Sequence, residues 1–431
     1  MRSLQDGTRD PGDLVPLVMA HLFDLCPTCA TEFRAFQAGL AASGEGIDTP
    51  SRDRARARRA EAAAGTGIGE EEIRRVLDRL LSLPPRDRPR AICEKGSAYR
   101  SSALAALLLD RARRRHPDRP VEAHALARLC QTVLQCLELT NETTELYALA
   151  AGQVAHARRA SGDLLEASEI FLNARFLLRQ LGGGSRRTAA ELDRLEGTLR
   201  GDLRELKDAE HLLRRSAMGF TLEDLPLQAA QSLRILGLLL GDHGRTTDAI
   251  QALEEALGLA DGRGSDLEIR CRLDLACILC AAGRLGEAQE LADALRPPVE
   301  AGSDASSYLR WIWLGGKIAW AKGEAQEAED AFQTARAGFR QGGRPFDAAL
   351  ASLELAALYL EQNRSEDLGR LVEEVTEMFE GQHPHREVLA ALMLFRDAPK
   401  LGRVSKPLLD ELSEYLPRAQ RDPNLPFQPP S

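Results

Sequence analysis

One phrase recurs six times along this chain, and its spacing constrains the fold more than any other feature. A polar or Gly-containing turn leads into a helix carrying a small anchor residue, a bulky apolar residue and a second small one. The copies read GDLLEASEIFLNA, ELKDAEHLLRRS, GRTTDAIQALEEA, GRLGEAQELADAL, GEAQEAEDAFQTA and RSEDLGRLVEEV. The anchors are Ala167, Ala209, Ala249, Ala288, Ala328 and Leu368, at successive separations of 42, 40, 39, 40 and 40 residues. A near-fixed internal period marks an architecture in which each unit buries its apolar face against the next.

Twelve residues before each anchor lies a small residue in a preceding apolar segment: Ala155, Gly197, Gly237, Ala276, Gly316 and Ala356. Two antiparallel helices that pack closely need a small side chain where their backbones approach. Four residues after the anchor sits a larger plug, Phe171, Leu213, Leu253 or Phe332, and three further on Ala174, Ser216, Ala256 and Ala335 leave room for the next repeat. Gly162, Gly244, Gly283 and Gly323 occupy the connecting turns, where a helix C′ position favours glycine. Ala, Leu, Arg and Glu dominate the chain, aromatics make up 5%, and β-branched residues are sparse. These are helix formers, and the expected fold class is all-α.

The pattern resembles the tetratricopeptide-repeat (TPR) family over Leu146–Glu380, with a degenerate earlier copy at Ser101–Leu137 whose second helix is PVEAHALARLC. The period departs from the family's, about 34 residues, which implies longer helices or longer links. The resemblance implies a right-handed superhelix of helical hairpins in which the first helix of each pair lines the concave surface. Inward positions implied this way include His156, Arg159, Arg194, Arg234, Leu238, Arg270, Leu273, Cys277, Arg310, Trp313, Lys317 and Trp320. Arg194, Arg234, Arg270 and Arg310 put a planar cationic fork on four successive repeats, suited to carboxylates. Trp313 and Trp320 lie seven apart on one helix face. The partner-binding residues expected are thus Arg159, Arg194, Arg234, Arg270, Arg310, Trp313, Lys317 and Trp320, forming a groove for an acidic peptide or helix with an aromatic anchor. Packing alone accounts equally for many of these positions.

Near the start, HLFDLCPTC places His21, Cys26 and Cys29 within nine residues, and Cys-x2-Cys is a common zinc-knuckle spacing. The stretch resembles the zinc-binding anti-sigma motif, His-x3-Cys-x2-Cys, which implies zinc on His21, Cys26 and Cys29 and a sigma factor or similar signalling protein as partner. Here the gap is His-x4-Cys, and residues 1–20 hold no further His or Cys, so Asp13, Asp24 or Cys93 would have to complete the site. The alternative is a metal-free helical hairpin.

The remaining features set limits. At 431 residues the chain is too long for one compact core. A net charge of −9 argues against general nucleic-acid binding; the basic runs RARARRAEAAA and RARRRHP read as solvated helix and helix end. Eight cysteines in a chain of this length are too few for a disulfide scaffold, and CRLDLACILC reads as small core residues on one helix. No signal peptide and no run of 18 apolar residues is seen, so a cytoplasmic protein with reduced thiols and no membrane partner is expected. No HExxH, GxxxxGK[ST], GxGxxG after a strand or GxSxG occurs, so an enzyme is not expected. The expected organisation is a small helical, zinc-binding module at 1–40, a linker and basic helix at 41–68, a TPR-like solenoid at 69–398, and a capping helix with a Pro-rich tail at 399–431. The function that follows is a non-enzymatic scaffold or regulator holding a protein or peptide partner, with an anti-sigma-like transcription regulator as the alternative.

Overall fold

The computed structural model describes residues 70–421, apart from 95, 116–119, 181–182, 261, 263–264, 301–304 and 379–404, together with Phe427. Every regular element among them is an α-helix. They are α1 (Glu70–Ser82), α2 (Arg88–Cys93), α3 (Ser102–Arg115), α4 (Pro120–Gln135), α5 (Asn141–Ala160), α6 (Leu164–Gln180), α7 (Arg186–Asp202) and α8 (Leu206–Leu222). There follow α9 (Pro226–Asp242), α10 (Thr246–Ala260), α11 (Asp266–Ala281), α12 (Leu285–Glu300), α13 (Ala305–Lys322), α14 (Ala325–Gln341), α15 (Pro345–Glu361), α16 (Ser365–Met378) and α17 (Lys406–Arg421). The expected all-α fold of consecutive TPR-like helical hairpins is the fold found. The chain divides into two compact units, one formed by the residues up to Ala157 together with Glu169–Thr188, the other by Arg158–Ser168 and the residues from Ala189 on.

In the first unit α3 and α4 make the degenerate hairpin, with α1 on α3 and α2 on α4. Leu104, Leu108, Ala127 and Val133 are fully buried there, and the Cys130 thiol donates to the Ala105 carbonyl oxygen at 3.2 Å.

In the second unit, α7 to α16 alternate as first and second helices of five hairpins. In three of these hairpins a glycine of the first helix lies under the plug of its partner. A Cβ built on Gly197 would lie 2.9 Å from Leu213 Cγ, one on Gly237 2.6 Å from Leu253 Cγ, and one on Gly316 2.8 Å from the Phe332 ring. These helices approach as closely as they do because there is no side chain on one side. Leu213, Leu253 and Phe332 are fully buried, and burying such a side chain contributes about 1.5–3 kcal/mol.

The turns from first to second helix share one geometry. A residue with left-handed backbone sits five positions before each anchor: Gly162, Arg204, Gly244, Gly283, Gly323 and Asn363. The next N–H returns to a carbonyl five residues back, as in Asp163 to Arg158, Glu205 to Arg200, Arg245 to Leu240, Arg284 to Leu279, Glu324 to Ala319 and Arg364 to Tyr359. This is the Schellman closure of a helix C-terminus. Helix starts are fixed by Pro226 and Pro345 in the first turn and by the Ser265 hydroxyl, which accepts from the Glu268 N–H. After the last hairpin, Leu408, Leu409, Leu412, Tyr415 and Leu416 of α17 join the core cluster that holds Leu353, Leu355, Ala356 and Tyr359 of α15.

Buried ion pairs tie neighbouring hairpins together. Asp274 of α11 sits between Leu273 and Leu275 with its side chain wholly buried. Arg234 Nε of α9 lies 2.6 Å from Asp274 Oδ2, and Arg310 of α13 donates to Oδ1 at 2.5 Å. One carboxylate therefore staples three successive first helices. Within a single hairpin, Asp193 of α7, 3% exposed in its side chain, is held by Nε and Nη2 of Arg215 of α8.

Two predictions follow from this packing. Gly237→Ala should destabilise by about 1–3 kcal/mol through overpacking, and the same change should cost less in a Leu253→Ala background. Gly244→Ala should cost about 1–2 kcal/mol from left-handed backbone strain alone, because nothing lies within 4 Å of its Cβ, and Leu253→Ala should leave that cost unchanged. Urea-unfolding midpoints of the three single variants and the two double variants test the difference. Asp274→Asn should cost about 3–5 kcal/mol by leaving two guanidiniums buried against a neutral group. Asp193→Asn should cost less, since its partner Arg215 is 52% exposed and can turn to water. Equal losses at the two positions would refute the three-helix staple.

Candidate functional site

The first-helix positions implied by the repeat carry the expected cations, but few of these cations are unopposed. Arg159 pairs with Asp202 at 2.5 Å. Arg194 pairs with Glu191 of its own helix at 2.8 Å, and the Arg270 Nε reaches only the Asp266 carbonyl oxygen of its own helix, at 3.3 Å. Arg234 and Arg310 share Asp274. Arg194, Arg234 and Arg310 are thus each engaged by a carboxylate of this chain. An isolated buried guanidinium would be unaffordable, so the sequence supplies its own acids.

The balance is nevertheless uneven along α11, α13 and α15. Two guanidiniums meet the single carboxylate of Asp274. Lys317 Nζ of α13 lies 2.6 Å from Glu354 of α15 and 4.7 Å from the centroid of the Trp313 ring, a cation–π arrangement. Asp347, the other acid whose charge reaches Arg310, is itself 2.9 Å from Arg344. Burial opposes the charge of Arg310, yet Asp274, Cys277 and Asp347 together hold it above its ordinary range. Burial likewise opposes the charge of Lys317, and Glu354 with Cys277 and Cys280 more than offsets it. Both side chains stay cationic.

The aromatic component comes from the same helix. Trp313 and Trp320 are half-buried and pack edge-on against Phe339 and Phe332 of α14, at 6.1 and 6.2 Å between ring centroids. Trp320 donates its indole N–H to Glu361 at 3.0 Å, whereas the buried Trp313 N–H has no acceptor among the described residues. Cys277 and Cys280 lie half-buried beside them, and burial raises both thiols. Cys271 belongs to the core, its thiol pushed up by burial to about 11. The arrangement offers fixed cations and ring faces, with no nucleophile paired to a base.

Sequence reasoning found the cations and indoles but missed Asp274, Glu354 and Glu361. One signal was available for Asp274. It interrupts the apolar run LDLACIL, and an acid at a buried phase must be compensated. The candidate zinc ligands His21, Cys26 and Cys29 lie outside the described residues. Among the described residues, no group of three or more His, Cys, Asp or Glu could hold a metal ion, and no helix is long and apolar enough to cross a membrane.

No protein-family model matches the chain. No curated protein is significantly similar to it in sequence. Among solved structures it is similar to a Rap protein complexed with competence and sporulation factor, at 13% identity over 74% of this chain and 92% of that one, with a TM-score of 0.56. It is similar also to the apo form of RapI, at 15% identity over 64% and 98% of the two chains, with a TM-score of 0.49. The Rap conjugation gene regulator of plasmid pLS20, in complex with the Phr* peptide, matches at 13% identity over 74% and 98%, with a TM-score of 0.42. At 13% identity the likeness to the first of these is one of fold, and it agrees with the tetratricopeptide-like hairpins described above.

Proposed function

We propose that this chain is a non-enzymatic recognition scaffold that holds an acidic segment of a peptide or protein partner on the first-helix face of α11, α13 and α15. The observation that carries the reading is the excess of fixed positive charge at Asp274: Arg234 and Arg310 converge on one carboxylate. Lys317 and the two indoles extend that face. A guanidinium has five donors, and a single carboxylate cannot satisfy two of them. Trp and Arg are the residues most enriched where binding energy concentrates. Helices rather than loops hold these groups, which lowers the ordering cost of capture. A Rap protein of the same fold holds competence and sporulation factor, which fits a role in binding.

The test is selection of peptides from a random display library on the full-length chain. All three tryptophans, Trp311, Trp313 and Trp320, lie on α13, so intrinsic fluorescence reports directly on this face. Selected peptides should be acidic with an apolar residue, and should shift that fluorescence. Lys317→Gln should weaken them about tenfold, the scale of one charge-assisted hydrogen bond, while Lys317→Arg retains binding. Neutral or basic winners, or equal affinity in Lys317→Gln, would sink the reading.

A second reading rests on HLFDLCPTC: zinc on His21, Cys26 and Cys29 would make the N-terminal segment a regulatory module for a sigma factor or a similar signalling protein. Metal analysis of protein purified without chelator should then find about one zinc per chain, absent from Cys26→Ser/Cys29→Ser. Metal-free protein rejects it.

A further inference from the structure

We propose that Cys93 and Cys136 form a reversible disulfide that clasps α2 to the end of α4 when the protein meets a hydroperoxide. The two residues are 43 positions apart in sequence, yet the Cys136 thiol points at the Cys93 sulfur across 3.7 Å. Cys93 is exposed and Cys136 half-buried, so an oxidant reaches the first and the second waits behind it.

The surroundings hold this juxtaposition in place. Arg100 folds back over the end of α2, donating from Nε to the Ile92 carbonyl oxygen at 3.0 Å and from Nη2 to that of Cys93. The Ser97 hydroxyl donates to the Ala91 carbonyl oxygen at 2.8 Å. On the other side, the Cys136 and Leu137 N–H groups close the last turn of α4 on Val133 and Leu134, each at 3.1 Å. Both sulfurs therefore sit on anchored backbone, and a bond needs only a small further approach of the sulfurs rather than the opening of a helix. The other described thiols lack these features. Cys130 is buried and its thiol is pushed up to about 12. Cys271 is core, and Cys277 and Cys280 share one helix.

The chemistry balances with hydrogen peroxide as the oxidant. The Cys93 thiolate attacks one peroxide oxygen, the O–O bond breaks, and hydroxide leaves and takes up the proton that Cys93 released, giving water and a sulfenic acid. The Cys136 sulfur then attacks the sulfenic sulfur, forming the S–S bond. The sulfenic oxygen leaves as a second water, carrying the Cys136 proton. The two sulfurs together lose two electrons, and the peroxide gains them. A thiol reductant reverses the product by exchange.

The test is peroxide treatment of the full-length protein, trapping of remaining thiols with N-ethylmaleimide, and mass mapping of proteolytic fragments. The expected product links the Cys93 and Cys136 fragments, is lighter by two hydrogen atoms than the reduced pair, and disappears with dithiothreitol. Cys136→Ser should stop at a Cys93 sulfenic acid that dimedone captures, and Cys93→Ser should leave Cys136 open to N-ethylmaleimide. These exchanges change one atom, and circular dichroism checks that the helices persist. Cys93 and Cys136 both remaining alkylatable would overturn the proposal, as would Cys93 pairing with Cys26, Cys29 or a second copy of the chain.

Discussion

In three hairpins of the second unit, the spacing between the two helices is set where an apolar plug on the second helix rests against a glycine of the first. Leu213 over Gly197, Leu253 over Gly237 and Phe332 over Gly316 are three instances of one contact. With the axes that close, little chain is available for the connection. The connecting turn must reverse direction at once, which requires a left-handed residue and a hydrogen bond reaching back over the end of the helix. The turn in turn fixes the phase of the second helix, because the anchor lies five residues beyond the left-handed one. Each hairpin then presents its neighbour with a face of constant shape, and repetition follows.

Close packing of similar hairpins leaves one ambiguity. Apolar faces repeated every forty or so residues are nearly interchangeable, so a slipped neighbour would bury almost as much surface. Buried polar ties break the degeneracy. Asp274 is met by guanidiniums from the hairpin before and the hairpin after. Arg364 reaches the buried Glu329, 35 residues back, and Arg245 makes the equivalent reach to Glu210 at the surface. Glu329 also accepts from the Tyr359 hydroxyl at 2.9 Å. Desolvation cancels much of the energy of such pairs. A wrong neighbour would nevertheless bury a charge without its partner, at a cost of several kcal/mol. These pairs act on register more than on total stability.

The repeat, its period and the small residue–plug pairing were legible because they depend on side-chain size at fixed spacing. The turns were only partly legible. Glycine at positions 162, 244, 283 and 323 announces a left-handed residue, but Arg204 and Asn363 adopt the same conformation without a glycine to signal it. The anchors around them, Ala209 and Leu368, were the only guide. The proposed face was legible by half. Arg234, Arg310 and Lys317 stand out because a helical periodicity places them on one face. Asp274 is marked only by its interruption of the apolar run LDLACIL, and Glu354 is one acid in a chain with 65 of them, with nothing local to say that it will meet Lys317. The Cys93–Cys136 approach was invisible, since it depends on how α2 folds onto α4 through a turn that lies outside the repeat.

The electrostatics of the proposed face and the architecture of the second unit share the same residues. Arg234 and Arg310 are oriented by Asp274 before any partner arrives, so a second carboxylate would meet donors already in place and already desolvated. Such preorganisation strengthens a polar contact, because the reorganisation that water would otherwise require has been done by folding. The same arrangement couples binding to stability. An acidic partner would neutralise charge that folding alone leaves in excess, and it would do so only in the folded chain. Binding to the native state alone raises the free energy of unfolding by an amount set by ligand concentration relative to Kd. The stapled hairpins α9 to α13 are therefore where occupancy would be felt most, and the tie that sets the register of the repeats is also what a partner would reinforce.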